Sequence, residues 1–221
     1  MDGRLKLLQD EEGYRYSLDP FLLVHFVELK GHEEVVDLGT GNGVIAVLLA
    51  DKQPGLTVRG VEIQGGLADM AEENVSRNGL SDRVNIVRGD IRDIRSLMPA
   101  ECCGAVVGNP PYRKMNSGRV NPQMEKAVAR HELTISLEDF VSACAYLLIN
   151  RGRANIIFHP GRLAELFALF QRYRIAPSRL RPVYSHAESH AVMALIEGVK
   201  NGRNPLTMEK PLIIYKEDSE Y

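Results

Sequence analysis

Residues 37–43 read Asp37-Leu38-Gly39-Thr40-Gly41-Asn42-Gly43, a turn with a glycine at every second position. Glycine alone lets a backbone bend this tightly and still come close to a ligand. The turn follows an apolar run and opens a stretch of helical spacing. Gly41-x-Gly43-x-x-Ala46 also satisfies the dinucleotide fingerprint, which leaves the ligand open between a dinucleotide and another nucleoside. Glu62, followed by Ile63, ends the next strand, where a carboxylate accepts from the two hydroxyls of either kind of ribose. Asp90, followed by Ile91, stands after a third strand. It either accepts from an adenine amino group or caps a helix.

A second constellation is Asn109-Pro110-Pro111-Tyr112. Two consecutive prolines hold the backbone extended and remove two donors, which leaves carbonyl oxygens pointing outward. A planar amine has its lone pair delocalised and carries two hydrogens. To react at nitrogen it needs acceptors that hold those hydrogens, a role open to the Asn109 side-chain oxygen and the Pro110 carbonyl. Tyr112 adds a flat face for a planar group. A plain Asn-Pro turn is the alternative.

Periodicity supplies the elements that would position these groups. Short strands are expected over 34–37, 57–63, 84–87, 105–107 and 154–158, and helices over 44–51, 67–78, 137–148 and 162–173, with Gly79 as a left-handed helix cap. Strands alternating with helices predict a parallel sheet covered on both faces. The ending differs: 179–184, 190–198 and 212–215 read as strands, the last two joined by Lys200-Asn201-Gly202-Arg203-Asn204, which fits an antiparallel hairpin. Residues 1–30 hold only a short helix opening at Asp19-Pro20, and the polar, basic segment 112–131 reads as a long mobile loop of the kind that binds substrates.

Composition narrows the class. With 44% hydrophobic and 25% charged residues in 221, the chain matches a folded, water-soluble domain. Neither a signal peptide nor a membrane-length apolar run is present, so a cytoplasmic location is expected. Cys102, Cys103 and Cys144 form no Cys-x-x-Cys pair, and no metal site is expected. Net charge is only −2, yet residues 109–184 hold twelve basic side chains against five acidic, and the rest fifteen against twenty-four. Such asymmetry fits either one surface facing a polyanion or a solvated arginine-rich face.

Taken together, Asp37-x-Gly39-x-Gly41-x-Gly43, Glu62, Asp90 and Asn109-Pro-Pro-Tyr112 resemble a class I, Rossmann-like amino-methyltransferase over about residues 33–198. That resemblance implies S-adenosylmethionine as cofactor, and an α/β fold: a seven-stranded, mostly parallel sheet with an antiparallel C-terminal hairpin and helices on both faces. More narrowly, Tyr14-Arg15-Tyr16-Ser17-Leu18-Asp19-Pro20-Phe21-Leu22-Leu23 and Ala129-Arg130-His131-Glu132 resemble the bacterial enzymes that methylate the N6 amine of adenine 37 in a valine tRNA.

By that resemblance Asp37, Gly39, Thr40, Gly41, Asn42, Gly43, Glu62, Ile63, Asp90, Ile91 and Asn109 bind the cofactor. Asn109, Pro110 and Tyr112 hold the reacting amine. Pro111, Tyr112, Arg113, Lys114, Arg119, Arg130, Arg172, Arg174, Arg179 and Arg181 contact the RNA. Residues 1–30 are an extension closing over the cofactor site of a domain that spans 31–221. A protein-glutamine N5-methyltransferase presents the same planar amide to the same residues, but such enzymes carry a larger N-terminal domain than thirty residues allow. A non-catalytic RNA-binding protein keeping the fold would not need the glycines and Asn109. A nicotinamide-dependent dehydrogenase leaves the Asn-Pro-Pro-Tyr segment unexplained.

Overall fold

The computed structural model describes residues 5–9, 18–29, 33–110, 135–203 and 205–215. Strands β1 (Glu34–Leu38), β2 (Thr57–Glu62), β3 (Val84–Arg88), β4 (Cys103–Gly108) and β5 (Leu148–Phe158) run parallel. With β6 (Ile175–Tyr184) and β7 (Ala191–Lys200) they lie in the order β3-β2-β1-β4-β5-β7-β6. Only β7 in this series runs the other way, antiparallel to both neighbours. Central β1 is buried from Val35 to Leu38, as the apolar run of a strand covered on both faces requires.

Helices α1 (Asp19–Phe26), α2 (Val44–Lys52) and α3 (Gly65–Arg77) cover one face. A 3₁₀ turn (Ile91–Asp93), α4 (Ile94–Leu97), α5 (Leu137–Leu147) and α6 (Leu163–Arg172) cover the other. Alternation along β5 divides the two cores: Ile156 and Phe158 pack with the second set, Ile157 with the first. Helix α2 is buried from Val44 to Ala50 because α1 and α3 enclose it against the sheet, so it is apolar all round rather than striped. Cys103 and Cys144 are buried core residues whose thiols burial pushes well up, so they pack as small hydrophobes.

The C-terminal hairpin forms one element earlier than the sequence pattern indicates. Its arms are β6 and β7, and β6 begins at Ile175 despite Pro177, where the pairing register shifts. Residues 207–208 (β8) and 212–213 (β9) instead join β6 in parallel. The reason is geometric. Strand β7 is inserted between β5 and β6, so both its edges are occupied, and it ends beside the start of β6. A chain leaving it finds a free edge only on β6 and runs along it in the same direction.

Residues 5–9 lie along α3, held by two asparagines one helical turn apart. Asn78 accepts from the Lys6 N–H (3.0 Å) and donates to the Lys6 carbonyl (2.8 Å). Asn74, fully buried, accepts from the Leu8 N–H (2.6 Å) and donates to the carbonyls of Leu8 (3.3 Å) and Asn42 (2.9 Å). The two amides act as a surrogate strand edge. Removing a buried amide strands its partners at about 1–3 kcal/mol. Asn74→Ala should therefore lower the unfolding free energy by that amount in denaturant titration, while exposed Ser76→Ala stays within about 0.5 kcal/mol of wild type. Equal stability of the two variants would contradict the clamp.

Candidate functional site

The C-terminal ends of four adjacent parallel strands bring the first constellation into one row. In register, Leu38 lies beside Val61 on one side and Gly108 on the other, while Glu62 pairs with Arg88. The residues following these positions are therefore neighbours: Asp90 beyond β3, Glu62 at the end of β2, the glycine turn beyond β1, and Asn109-Pro110 beyond β4. This is where an α/β sheet binds ligands.

The turn itself is left-handed three times over, with φ of +74° at Gly39, +59° at Gly41 and +80° at Gly43. A side chain at Gly43 would also meet the Ala71 Cβ at 3.0 Å, so this glycine permits α3 to pack close beneath the turn. Asp37 is fully buried under it. The Thr40 hydroxyl donates to its Oδ2 at 2.5 Å, while Oδ1 has no hydrogen-bond partner among the described residues. Burial raises the Asp37 pKa to about 7 against the pull of the Thr40 hydrogen bond, and the neighbouring Glu62 charge adds to the rise.

Glu62 is buried as well. Its Oε2 accepts from the Gly41 N–H and its Oε1 from the Gln64 N–H, both at 2.9 Å, so one carboxylate ties β2 to the turn and to the start of α3. Each oxygen keeps a lone pair for an incoming hydroxyl. Asp90 caps the 3₁₀ turn through the Arg92 N–H (2.8 Å) and pairs with the Arg92 guanidinium. That hydrogen bond holds its carboxyl below the usual range. The capping alternative for Asp90 is thus realised, with room left for a further donor. Ile63 is half-buried beside Glu62, whereas Ile91 lies in the core. Asn109 is half-buried and Pro110 buried.

Sequence reasoning placed Asn42 in the cofactor set but missed what fixes it. Its amide donates to the Leu8 carbonyl at 3.0 Å and its own carbonyl accepts from Asn74. The signal was present: Asn74 interrupts the buried stripe Ala68, Ala71, Val75 of α3.

The arginines are dispersed rather than clustered. Arg174 is exposed just before β6, where its carbonyl accepts from Asn201, at the edge opposite the glycine turn. Arg172 is exposed and pairs with Glu138. Arg179 pairs with Glu209, Glu197 and Glu28 and lies over the Phe26 ring at 4.6 Å. Burial works against its charge, but these three acids more than offset it and raise its pKa. Arg181 pairs with Glu209 at 2.7 Å. Pro111, Tyr112, Arg113, Lys114, Arg119 and Arg130, with the segment 112–131, lie outside the described residues. Among the described residues no three His, Cys, Asp or Glu side chains form a metal-holding group, and no helix is long and apolar enough to cross a membrane.

A family model described as methyltransferase small domain matches residues 19–134. The chain is 34% identical over 166 residues to a tRNA1(Val) (adenine(37)-N6)-methyltransferase of Porphyromonas gingivalis, which covers 73% of this chain and 64% of the relative. It thus spans somewhat under two thirds of that relative's length. A protein of the same name from Vibrio campbellii is 26% identical over 218 residues, covering 90% of this chain and 89% of the relative. Among solved structures, a predicted O-methyltransferase from Agrobacterium tumefaciens superposes with a TM-score of 0.75 at 22% identity, over 91% of this chain and 89% of that one. TrmN from Thermus thermophilus gives 0.59 at 20% identity, over 82% and 48%. At these identities the structures establish the fold: a mostly parallel sheet with antiparallel C-terminal strands.

The raised Asp37 carboxyl has a measurable consequence in the ligand-free protein. The folded state holds a proton that the unfolded chain has released above about 4, so folding stability falls as pH rises from there to about 7 and levels off above it. Asp37→Asn should remove this slope, which amounts to roughly 1.4 kcal/mol per pH unit at most. The check is denaturant unfolding of both proteins at pH 5 and pH 8. A wild-type-minus-variant difference that is the same at the two pH values would show that Asp37 ionises normally.

Proposed function

The chain belongs to the methyltransferase small domain family, and from that premise we propose that it is an S-adenosylmethionine-dependent N-methyltransferase acting on the N6 amine of an adenine in tRNA. The observation that carries this reading is the position of Asn109-Pro110. The step follows Gly108, which is in register with Leu38 at the mouth of the glycine turn, and it stands at the end of a row that begins with the carboxylates of Asp90 and Glu62. The relatives' names support the choice of acceptor.

The residues present fit such a cofactor. Its ribose suits Glu62, its adenine amino group suits Asp90, and its cationic end suits the buried Asp37 Oδ1, which has no hydrogen-bond partner among the described residues. When bound, S-adenosylmethionine supplies a methyl group on a sulfonium, a good electrophile. Everything else is positioning by the chain. The Asn109 side-chain oxygen and the Pro110 carbonyl hold the two amine hydrogens and turn the nitrogen lone pair toward the methyl. The amine, made acidic once it carries the methyl, would give its proton to solvent, so this chain's residues need supply no tuned base. Tyr112 is proposed to stack on the extracted base.

Arg113, Lys114, Arg119 and Arg130, with exposed Arg172 and Arg174, are proposed phosphate contacts. Arg179 and Arg181 would have to release Glu209 to join them. Residues 1–30 are proposed to close over the cofactor, supported by the Leu8 contact to Asn42. A cytoplasmic setting follows from this substrate.

Nucleoside mass spectrometry of total tRNA from cells with and without the gene tests the acceptor: loss of one N6-methyladenosine is expected, and an unchanged profile would refute it. For the cofactor, S-adenosylmethionine should raise the melting temperature, by about 2.7 kcal/mol of stability at a hundredfold excess over Kd. Glu62→Ala should abolish that rise, whereas stabilisation by NAD instead would overturn the assignment. For the chemistry, Asn109→Ala should slow single-turnover transfer about a hundred- to a thousandfold with little change in RNA affinity, because an orienting contact is strongest in the transition state. Transfer at the wild-type rate would mean that the nitrogen is held elsewhere.

A further inference from the structure

The strand-end edge that holds the cofactor row is chemically divided. Over β1, β2 and β3 it carries Asp37, Glu62 and Asp90. Over β5, β7 and β6 it carries rings: His159 directly after β5, His190 directly before β7, and His186 in the turn between β6 and β7, all exposed. Tyr215 joins them because the chain after β9 continues along β6. The Ile214 N–H donates to the Tyr184 carbonyl and the Tyr215 N–H to the Ser185 carbonyl, both at 2.9 Å.

His186 and Tyr215 stack on each other, with ring centroids 5.2 Å apart and planes inclined by 30°. Tyr215 is nevertheless 58% exposed. The His186 backbone is fixed by Ser189, whose hydroxyl donates to its carbonyl (2.8 Å) and accepts from its N–H (3.2 Å). A polar turn thus presents this pair to solvent, with one ring face covered by the partner and the other open.

We infer that His186 and Tyr215 form a stacking platform for an unpaired RNA base flanking the one that is methylated; this rests on the tRNA reading above. Unpaired bases are recognised largely by stacking on aromatic rings, and any base can use such a face. The surroundings are mixed, Ser185, Glu188, Ser189 and His190 with exposed Val192 and Ile213, and include no lysine or arginine, so the ring face and not a phosphate contact is what the platform offers a base. Strand order sets the distance: His186 follows β6, three strand spacings from β4, and Tyr215 follows β9, four spacings from it, roughly 14 and 19 Å at the usual separation. That is too far for the platform to touch a base held at Asn109, and within reach of a neighbouring nucleotide splayed from the same loop.

The test is methyl transfer from S-adenosylmethionine to an unmodified transcript of a bacterial valine tRNA. Tyr215→Leu, which keeps apolar bulk and loses the flat face, should raise KM for the tRNA about five- to a hundredfold. The kcat at saturating tRNA and the melting temperature should stay unchanged, and Tyr215→Phe should keep the wild-type KM. A wild-type KM for Tyr215→Leu overturns the platform alone, as does Tyr215→Phe being equally impaired. A fall in melting temperature and kcat together with the change in KM would assign Tyr215 to holding β9 in place and would also overturn it. Wild-type protein that methylates no tRNA would remove the substrate reading, and the platform with it.

Discussion

The chain must leave β1 and enter a fully buried helix within the five residues between Leu38 and Val44, and the geometry of that reversal governs the rest of the site. Three left-handed residues in alternation let the chain reverse there, with the Gly39 and Thr40 amides on the Val61 carbonyl, the Gly43 amide on the Thr40 carbonyl and the Gly41 amide on Glu62. Such a loop has little to hold it by itself, since glycine brings no side-chain contacts and a large conformational entropy to lose. The surrounding structure supplies the hold. Thr40 folds back onto Asp37 beneath, Glu62 reaches across from β2 to the Gly41 amide, and Asn74 grips the Asn42 carbonyl from α3. Ala71 can approach because position 43 has no side chain.

Two of these supports are carboxylates in low-dielectric surroundings, an expensive arrangement for a purely structural loop. Burial leaves the Asp37 Oδ1 without a hydrogen-bond partner among the described residues, which costs free energy. A cationic ligand over the turn would relieve that cost by favouring the ionised form. The proton on Asp37 near neutrality is the same fact seen without ligand.

Much of this was legible in the sequence because the chemistry there is local. Asp37 and Glu62 lie in the last two residues of β1 and β2, and Asp90 and Asn109 come within two residues after β3 and β4, so a periodic run plus the residues at its end sufficed to place all four in one row. What stayed hidden depends on distant pairing. Nothing near residues 190–215 states that β7 inserts beside β5, so the hairpin was assigned to the wrong pair of strands. Likewise Lys6 and Leu8 show no strand pattern, because the edge they pair with consists of Asn74 and Asn78 side chains. Tyr215 and His186 are twenty-nine positions apart, and the parallel return of β9 alone makes them neighbours.

Charge shows the same limit. A surplus of arginine counted along residues 109–184 describes a surface potential only if the partners lie elsewhere, and here the fold brings them in. Arg153 meets Glu33, Arg179 meets Glu28, Glu197 and Glu209, and Arg181 meets Glu209. All these acids come from the acidic remainder of the chain. Arg179 and Arg181 alternate along β6 so that both point to one side, where they fasten β8 to the sheet edge. Their charge thus closes an edge strand instead of facing solvent. With Arg179 and Arg181 engaged in this way, fewer basic side chains remain for a polyanion than the count along 109–184 suggests, and Arg113, Lys114, Arg119, Lys126 and Arg130 follow Asn109-Pro110 closely in the sequence. Any phosphate that those side chains contact in the proposed reaction would thereby be tied in sequence to the proposed amine-holding step, so that binding the backbone and placing the base would be two effects of one segment.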